Sequence, residues 1–202
     1  MELVIWTLVG FLSGSIPYSV WVGKFVRGLD IRRFGDHNPG AANVLRSVGW
    51  RWAVLALLLD SLKAALPVGC AWFSGDVHGL GIIPVALAPV LGHAFSPWLK
   101  FQGGKAVAAT FGVWGGLTLG AGPTVLGLLL GLLFAVFTVD GWAVVLSLFC
   151  FGGFLFLAYP SNPQFLTIWL GLLVVLAWKH RRDLRCLPGI RPGLLKWLRR
   201  LE

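Results

Sequence analysis

The sequence predicts an all-α, polytopic integral membrane protein with seven transmembrane helices, the N-terminus outside and the C-terminus in the cytoplasm. Of its 202 residues, 57% are hydrophobic and 12% are charged, and the mean hydropathy is +0.80, which excludes an ordinary soluble domain. Helices are favoured over a barrel because the apolar runs are continuous and do not alternate with polar residues. We expect one membrane-embedded domain over residues 1–202, with a basic cytoplasmic tail at 180–202.

Seven apolar runs approach the roughly 20 residues with which a helix crosses a hydrocarbon core about 30 Å thick. They are residues 3–22, 52–72, 79–97, 106–121, 123–137, 141–159 and 163–179. Only GAGP, residues 120–123, separates the fourth run from the fifth, so the two are also compatible with one long or re-entrant hairpin. Because Gly and Pro are turn signals, we keep two spans.

The basic residues favour one orientation. With the N-terminus outside, the cytoplasmic segments are 23–51, 98–105, 138–140 and 180–202. If Lys63 and Lys179 are counted on that side, it contains all 17 Lys and Arg residues, which is the positive-inside pattern. The net charge of +9 therefore reflects topology and attraction to anionic membrane lipids, and we expect no nucleic-acid binding. The last residues, LLKWLRRLE at 194–202, predict an amphipathic helix on the membrane surface.

Two polar segments on the predicted cytoplasmic side are rich in glycine. RRFGDHNPGAANVLRSVG, residues 32–49, suits a loop whose amides point at an anion, and Asn43 and Arg46 share a face if the chain is helical there. In WLKFQGGKAVAATFG, residues 98–112, Gly103 and Gly104 let the backbone approach a ligand closely. Lys105 is expected at the start of a helix, whose positive dipole end also favours anions.

A third polar segment, KHRRD at 179–183, places His180 and Arg181 at the cytoplasmic end of the last span. Each of the three segments alone is also compatible with a turn or with interfacial basic anchors. Their convergence at one membrane depth favours a site for phosphate rather than for a metal. Asp60 and Lys63, three residues apart inside the second span, are either a structural ion pair or part of this site.

Four stretches of the chain resemble successive motifs of the bacterial acyl-phosphate:glycerol-3-phosphate acyltransferase family. In order they are GSIPYSVWVGK, GDHNPGAANVLRSVG, GHAFSPWLKFQGGKAVAATFG and KHRRDLRCLPG, and they extend from about residue 13 to residue 189. The resemblance implies a seven-span enzyme of phospholipid synthesis in the bacterial inner (plasma) membrane, with its active site on the cytoplasmic side. It further implies acyl transfer from acyl phosphate to sn-glycerol 3-phosphate, which yields lysophosphatidic acid and phosphate. We expect no cofactor, no metal and a monomer.

The resemblance also implies roles for individual residues. Arg46 and Lys105 match the family's phosphate-binding arginine and lysine, and His180 matches its functionally important histidine. We therefore expect Lys105, Arg46 and the amides of Gly103 and Gly104 to hold phosphate. The acyl-phosphate pocket is assigned to Asn38, Gly40 and Asn43, and the acceptor to His180 with Arg181 nearby.

The sequence departs from the family pattern at six of the matched positions. Asp36 and Ala42 replace two hydroxyl residues, His37 replaces a glycine, and Ala106 replaces the glycine that commonly follows the lysine. Asp183 stands where asparagine is frequent, and Asp140 lies in a short loop that often offers a serine. Both are assigned to substrate binding.

Three roles are open for the Asp36 side chain. It pairs with Arg46, Lys105 or His180; it is protonated through a raised pKa and donates a hydrogen bond; or it is a catalytic base, a role that the resemblance leaves largely to the substrate's phosphate. The new carboxylates also leave open a related acyltransferase with a different acceptor. A non-enzymatic anion or lipid transporter is the other alternative.

Overall fold

The computed structural model describes residues 1–75 and 77–193. Over these residues the chain is helical, and its only β-type pairing is an isolated antiparallel bridge between Phe137 and Ile190. The α-helices are α1 (Glu2–Ser15), α2 (Tyr18–Arg27), α3 (Ala41–Ser47), α4 (Trp50–Phe73), α5 (Ile82–Ala94), α6 (Val107–Thr118), α7 (Ala121–Val136), α8 (Asp140–Ala158) and α9 (Gln164–Lys179). The predicted amphipathic helix at 194–202 lies outside the described residues.

The chain forms two compact units, Met1–Gly122 and Pro123–Glu202. The first contains α1 to α6, and the second contains α8, α9 and most of α7.

The first predicted span, residues 3–22, is divided at Pro17 into α1 and α2. Ile16, which precedes the proline, is extended, with φ −64° and ψ 124°. A residue before proline is driven out of the helical region by the proline ring, and proline itself has no N–H to donate. The prediction of one continuous helix was therefore wrong at this point, and the break leaves the Ile16 carbonyl available to the Lys63 ammonium, at 2.6 Å.

Small residues bring the helices of the first unit close together. Gly14 of α1 packs against the backbone of Pro89 in α5, and Gly112 of α6 packs against the Ser61 carbonyl in α4. A Cβ at either glycine would overlap the neighbouring backbone. Close approach at small residues is a typical way for helices to associate in a membrane, where no hydrophobic force drives them together.

In the second unit α8 packs on α9. The Trp169 indole N–H of α9 donates to the Leu148 carbonyl of α8 at 2.7 Å, and the indole ring covers Gly152. Arg191, beyond α9, donates from its side chain to the Phe134 carbonyl at 2.6 Å and from its backbone to the Val136 carbonyl at 2.8 Å, which satisfies the C-terminal end of α7.

Four segments of the described chain are long and apolar enough to cross a membrane. They are Glu2–Arg27, Trp50–Phe73, Gly79–Leu99 and Asp140–Ala158. The other three predicted spans correspond to shorter apolar helices, of which α6 has 12 residues and rises only about 18 Å. The chain between 106 and 137 does form two helices, but the break falls at residues 119–120 and Pro123 lies inside α7. The seven-span count stays a prediction.

Candidate active site

The loop at residues 34–40 and the short helix α3 form the first part of the site. Gly40 is extended and is the N-cap of α3, so the chain becomes helical at Ala41. As expected for residues three apart on a helix, Asn43 and Arg46 share a face, and the Arg46 Nη1 donates to the Asn43 Oδ1 at 2.8 Å. Asn43 is buried, and this contact holds the Arg46 guanidinium beside the loop.

Asp36 is the centre of the polar contacts in this loop. Its Oδ2 lies 2.8 Å from the Lys105 Nζ, and its Oδ1 accepts from the Asn43 Nδ2 at 3.0 Å and from the Asn38 N–H at 3.3 Å. The Arg46 Nη1 is 3.8 Å from the same Oδ1. The pairing alternative from the sequence is therefore confirmed for Lys105 and Arg46.

The charge state of Asp36 follows from these contacts. Burial raises the pKa of its carboxyl, but the hydrogen bond and the charge of Lys105, together with donation from Asn38 and Asn43, outweigh burial. The pKa lies below its ordinary value, so the carboxylate is ionised at neutral pH. The alternative of a protonated Asp36 with a raised pKa was wrong.

Two glycines make the loop compact enough for these contacts. Gly35 has φ +55°, in the left-handed region, and a Cβ there would meet the Asn43 Oδ1 and, at 2.7 Å, the Arg46 Nη1. A Cβ at Gly40 would lie 2.7 Å from the Asn38 Nδ2, and the Gly40 N–H donates to the Asn38 carbonyl at 2.9 Å.

Lys105 reaches this loop from a second segment of the same unit. The expectation that it starts a helix was wrong by two residues, because α6 begins at Val107 and Ala106 before it is left-handed, with φ +63°. Gly103 and Gly104 fit against His93 of α5: the Gly104 N–H donates to the His93 carbonyl at 3.0 Å, and a Cβ on either glycine would overlap His93 atoms. The glycines therefore let the Lys105 segment lie directly on α5.

A buried charged cluster lies within the helices of this unit. The Lys63 Nζ is 2.6 Å from the Asp60 Oδ1, and both side chains are 2% exposed. The Asp60 Oδ2 accepts from the Ser19 hydroxyl, and the His93 Nδ1 is 3.9 Å from the Asp60 Oδ1. The ion-pair interpretation of Asp60 and Lys63 is thus confirmed, as buried charges require a partner.

The second unit contains the other predicted site residues. The His180 Nδ1 lies 2.9 Å from the Asp183 Oδ2, and the His180 side chain is 3% exposed. Arg181 turns to the surface, where its guanidinium stacks on Trp178 at 4.6 Å from the ring centroid. Asp140 was expected in a loop but is the first residue of α8, and its Oδ1 is 3.9 Å from the Arg191 Nη2.

The structure thus brings together one set of predicted residues in the first unit and another in the second. The first set is Asp36, Asn38, Gly40, Asn43, Arg46, Gly103, Gly104 and Lys105, and the second is Asp140, His180, Arg181 and Asp183. The sequence did not predict the contact of His93 with Gly104, since ten residues and a turn separate them and no local pattern marks the approach.

The first set can hold an anion. An ammonium, a guanidinium, an amide and a backbone N–H all approach one carboxylate, which is the kind of donor set that binds an anionic oxygen. Among the described residues no group of three or more His, Cys, Asp or Glu side chains is placed to hold a metal ion. The fold and these contacts together define a helical membrane protein with a cluster of cationic and amide donors around one carboxylate.

The chain belongs to the glycerol-3-phosphate acyltransferase family, whose model matches residues 4–188. It is 36% identical over 196 residues to a glycerol-3-phosphate acyltransferase of Paramagnetospirillum magneticum, with 96% of this chain and 94% of that protein covered. It is 46% identical over 122 residues to glycerol-3-phosphate acyltransferase 1 of Thermotoga maritima, where the alignment spans 58% of this chain and 59% of the relative.

The fold is similar to the crystal structure of PlsY, an integral membrane glycerol 3-phosphate acyltransferase, in its glycerol 3-phosphate form. The TM-score is 0.82 at 26% sequence identity, with 92% of this chain and 91% of the PlsY chain covered. PlsY in its lysophosphatidic acid form gives a TM-score of 0.81 at 27% identity. The expected family is confirmed, and so is the expectation of an integral membrane protein.

Proposed function

We propose that this chain transfers a fatty acyl group from acyl phosphate to sn-glycerol 3-phosphate, forming lysophosphatidic acid and inorganic phosphate in the first acylation of phospholipid synthesis. The observation that carries the proposal is the cluster of Lys105, Arg46, Asn43 and Asn38 around one anionic group, in a chain of this family. PlsY supports it, because its two forms are named for the acceptor and for the product of this reaction.

The chemistry requires little more than positioning and charge. The acyl phosphate is a mixed anhydride and is already activated. The acceptor hydroxyl oxygen forms a bond to the acyl carbon, the bond from that carbon to the phosphate oxygen breaks, and phosphate departs with the electron pair. The hydroxyl proton passes to a phosphate oxygen. Cations that hold the phosphate stabilise its growing charge, and they hold the donor in line for attack.

In the first unit we assign phosphate binding to Lys105 and Arg46. The Gly104 N–H donates to the His93 carbonyl, so the predicted role of the Gly103 and Gly104 amides is not kept, and the two glycines instead support the Lys105 segment. The Lys105 side chain is 21% exposed, so its charge is less screened than that of a surface lysine. Asn38, Gly40 and Asn43 shape the pocket for the acyl phosphate. The short contacts of Gly35 and Gly40 with the asparagine side chains support this assignment, because any larger residue would displace the donors.

In the second unit we assign the acceptor to His180. Its ring is buried, and the hydrogen bond to Asp183 fixes its orientation, which is what a group that orients a hydroxyl requires. Arg181 and Asp140 are exposed and at the ends of α9 and α8, and we assign them to substrate binding at the membrane surface. Gly141 packs against Asp183 and so helps to fix the same pair.

We also propose the finer topology. Seven helical segments lie in the bacterial inner membrane: the α1–α2 segment, α4, the segment around α5, α6, α7, α8 and α9. The N-terminus is outside and the site faces the cytoplasm, which the one-sided distribution of Lys and Arg supports. The acyl chain lies in the bilayer, and the enzyme acts as a monomer without a cofactor.

Phosphate release tests this function. Purified protein in lipid receives palmitoyl phosphate, with and without glycerol 3-phosphate, beside Lys105→Ala and the control Lys100→Ala. Lys100 is an exposed lysine five residues earlier in the same segment. We expect release that requires glycerol 3-phosphate, a loss of about tenfold to a hundredfold in Lys105→Ala from one lost charged contact, and little change in Lys100→Ala. Equal activity in all three proteins would refute the assignment, and release that ignores glycerol 3-phosphate would indicate another acceptor.

A further inference from the structure

Asp36 occupies the donors that the proposed function assigns to phosphate. Its two oxygens are contacted by the Lys105 ammonium at 2.8 Å, the Asn43 amide at 3.0 Å and the Asn38 N–H at 3.3 Å, and the Arg46 guanidinium is 3.8 Å away. A carboxylate oxygen and a phosphate oxygen offer these donors the same kind of anionic acceptor. The Asp36 carboxylate therefore occupies the donors that would bind the phosphate of a substrate.

A phosphate and this carboxylate do not fit the same donors together. At a separation of about 4 Å, two unit charges repel by about 4 kcal/mol where the effective dielectric constant is near 20, as at a protein surface, and a phosphate dianion doubles that. Binding of phosphate is thus an exchange, in which the carboxylate leaves Lys105 as the phosphate arrives.

The position of Asp36 allows such an exchange. The side chain is 40% exposed and stands in a loop, so it can turn to water without moving a helix. An ion pair that is this exposed is weak enough to open, since such pairs contribute about 1 kcal/mol or less. The buried pair of Asp60 and Lys63, at 2% exposure each, has no such route to water.

We propose that Asp36 is a tethered competitor of the substrate phosphate, which lowers the affinity of the site for phosphate groups and determines how readily the phosphate product leaves. The inference rests on the proposed function. It differs from a role as general base in what it predicts: removal of a competitor strengthens binding and preserves turnover, whereas removal of a base lowers turnover.

The test uses Asp36→Asn, which keeps the shape and removes the charge, and Asp36→Ser, which supplies a hydroxyl. Asp30→Asn is the matched control, because Asp30 is a carboxylate six residues earlier in the chain and pairs with Arg32, at 2.7 Å. The control changes the net charge by the same amount. We measure kcat and KM for both substrates, and the inhibition constant of inorganic phosphate.

We expect both Asp36 variants to lower KM for at least one phosphate substrate, and the inhibition constant of inorganic phosphate, by about threefold to tenfold. The value of kcat should fall no more than about twofold, and Asp30→Asn should match the wild type. Unchanged constants in both variants would overturn the proposal. So would a loss of kcat of about a hundredfold in both, which is the signature of a base.

A second readout does not depend on catalysis. Inorganic phosphate should raise the thermal unfolding midpoint of Asp36→Asn at lower concentrations than it does for the wild type, since only the wild type must first release its carboxylate. Suppose the wild type transfers no acyl group, but Asp36→Asn still needs less inorganic phosphate than the wild type to raise its unfolding midpoint. The proposed function then fails, and the role of Asp36 as a competitor stands. If acyl transfer is normal and both proteins need the same phosphate concentration, only the proposed role of Asp36 as a competitor fails.

Discussion

The carbonyl of His93 accepts a 3.0 Å hydrogen bond from the Gly104 N–H, and the His93 imidazole fills the place where a Cβ on Gly104 would lie. His93 is on α5 and 7% exposed, so this contact ties the segment that carries Lys105 to a buried helix. The position of the Lys105 ammonium therefore depends on Gly103 and Gly104, whose lack of a side chain lets this segment lie against His93.

Gly104→Ala should displace this segment. The new methyl group overlaps the His93 ring, and we expect kcat/KM to fall at least tenfold, with a lower unfolding midpoint, because a small misplacement of a binding group reduces catalysis strongly. Gly153→Ala in α8 is the control, since nothing lies within 4 Å of a Cβ there. That variant should be neutral or more stable by about 0.5–1 kcal/mol. If the two variants behave alike, the contact does not position Lys105.

Asp60→Asn should destabilise the first unit by about 3–5 kcal/mol, because it leaves the Lys63 ammonium buried beside a neutral partner. The double variant Asp60→Leu with Lys63→Met should recover much of that loss, since it removes both charges and fills the space with apolar groups. Unfolding of Asp60→Leu, Lys63→Met and the double variant in a fixed detergent, analysed as a double-mutant cycle, measures the coupling. Additive effects of the two single changes would exclude an energetic pair.

Two left-handed residues give a prediction from backbone strain. Leu119 has φ +49° and is exposed, whereas Ala106 has φ +63° and is 1% exposed. Left-handed backbone costs about 1–2 kcal/mol in an L-residue, and glycine loses about 0.4–1 kcal/mol more backbone entropy on folding. Leu119→Gly should therefore stabilise by about 0.5–1 kcal/mol.

Ala106→Gly should be nearly neutral, although it introduces the glycine that the family resemblance implies at this position. The relief of strain is offset by the loss of a buried methyl group, about 0.8 kcal/mol. Unfolding midpoints of the two glycine variants, measured side by side, decide this. A larger gain in stability from Ala106→Gly than from Leu119→Gly would show that the lost methyl group does not offset the relief of strain.

In the second unit, His180→Ala should lower kcat by about a hundredfold or more if the imidazole orients the acceptor hydroxyl. Asp183→Asn keeps an oxygen for the His180 Nδ1 and should retain activity within about threefold, whereas Asp183→Ala removes it and should cost about tenfold. Steady-state kinetics should rank the loss of activity as largest in His180→Ala, smaller in Asp183→Ala and smallest in Asp183→Asn. Equal losses in the two Asp183 variants would show that charge, not orientation, is required.

The lowered pKa of Asp36 sets a pH dependence for stability. A carboxyl with a lowered folded-state pKa stabilises the fold above its ordinary value, near pH 4, and that contribution disappears as the pH falls through the lower, folded-state value. The wild type should unfold a few degrees above Asp36→Asn at pH 7 and at the same temperature near pH 2. A difference that persists at pH 2 would show that it does not come from the ionised carboxylate.

The same pKa constrains the pH dependence of activity. Because Asp36 stays ionised throughout, wild type and Asp36→Asn should share every inflection of their pH–rate profiles between pH 5 and pH 9. An inflection in that range that vanishes in the variant would assign a titrating, catalytic role to Asp36.

The sequence predicted much of the local structure because the relevant signals are local. Apolar length predicted α4 and α8 to within two residues at each end, and the i, i+3 spacing placed Asn43 and Arg46 on one face of α3. It missed the division at Pro17, because the apolar run is continuous through the proline. Hydropathy reports how readily a segment enters lipid, and it does not register that proline lacks the backbone N–H that a helix needs.

By itself, the sequence determined that this is a helical membrane protein of this acyltransferase family and predicted a basic, glycine-rich site, since composition, charge and ordered motifs are properties of the chain. Only the tertiary structure decided that Asp36 pairs with Lys105 across nearly seventy residues of chain, and that His93 supports Gly104. Those contacts join side chains from separate segments. Their distances depend on how α3, α4, α5 and α6 pack, which no local pattern encodes.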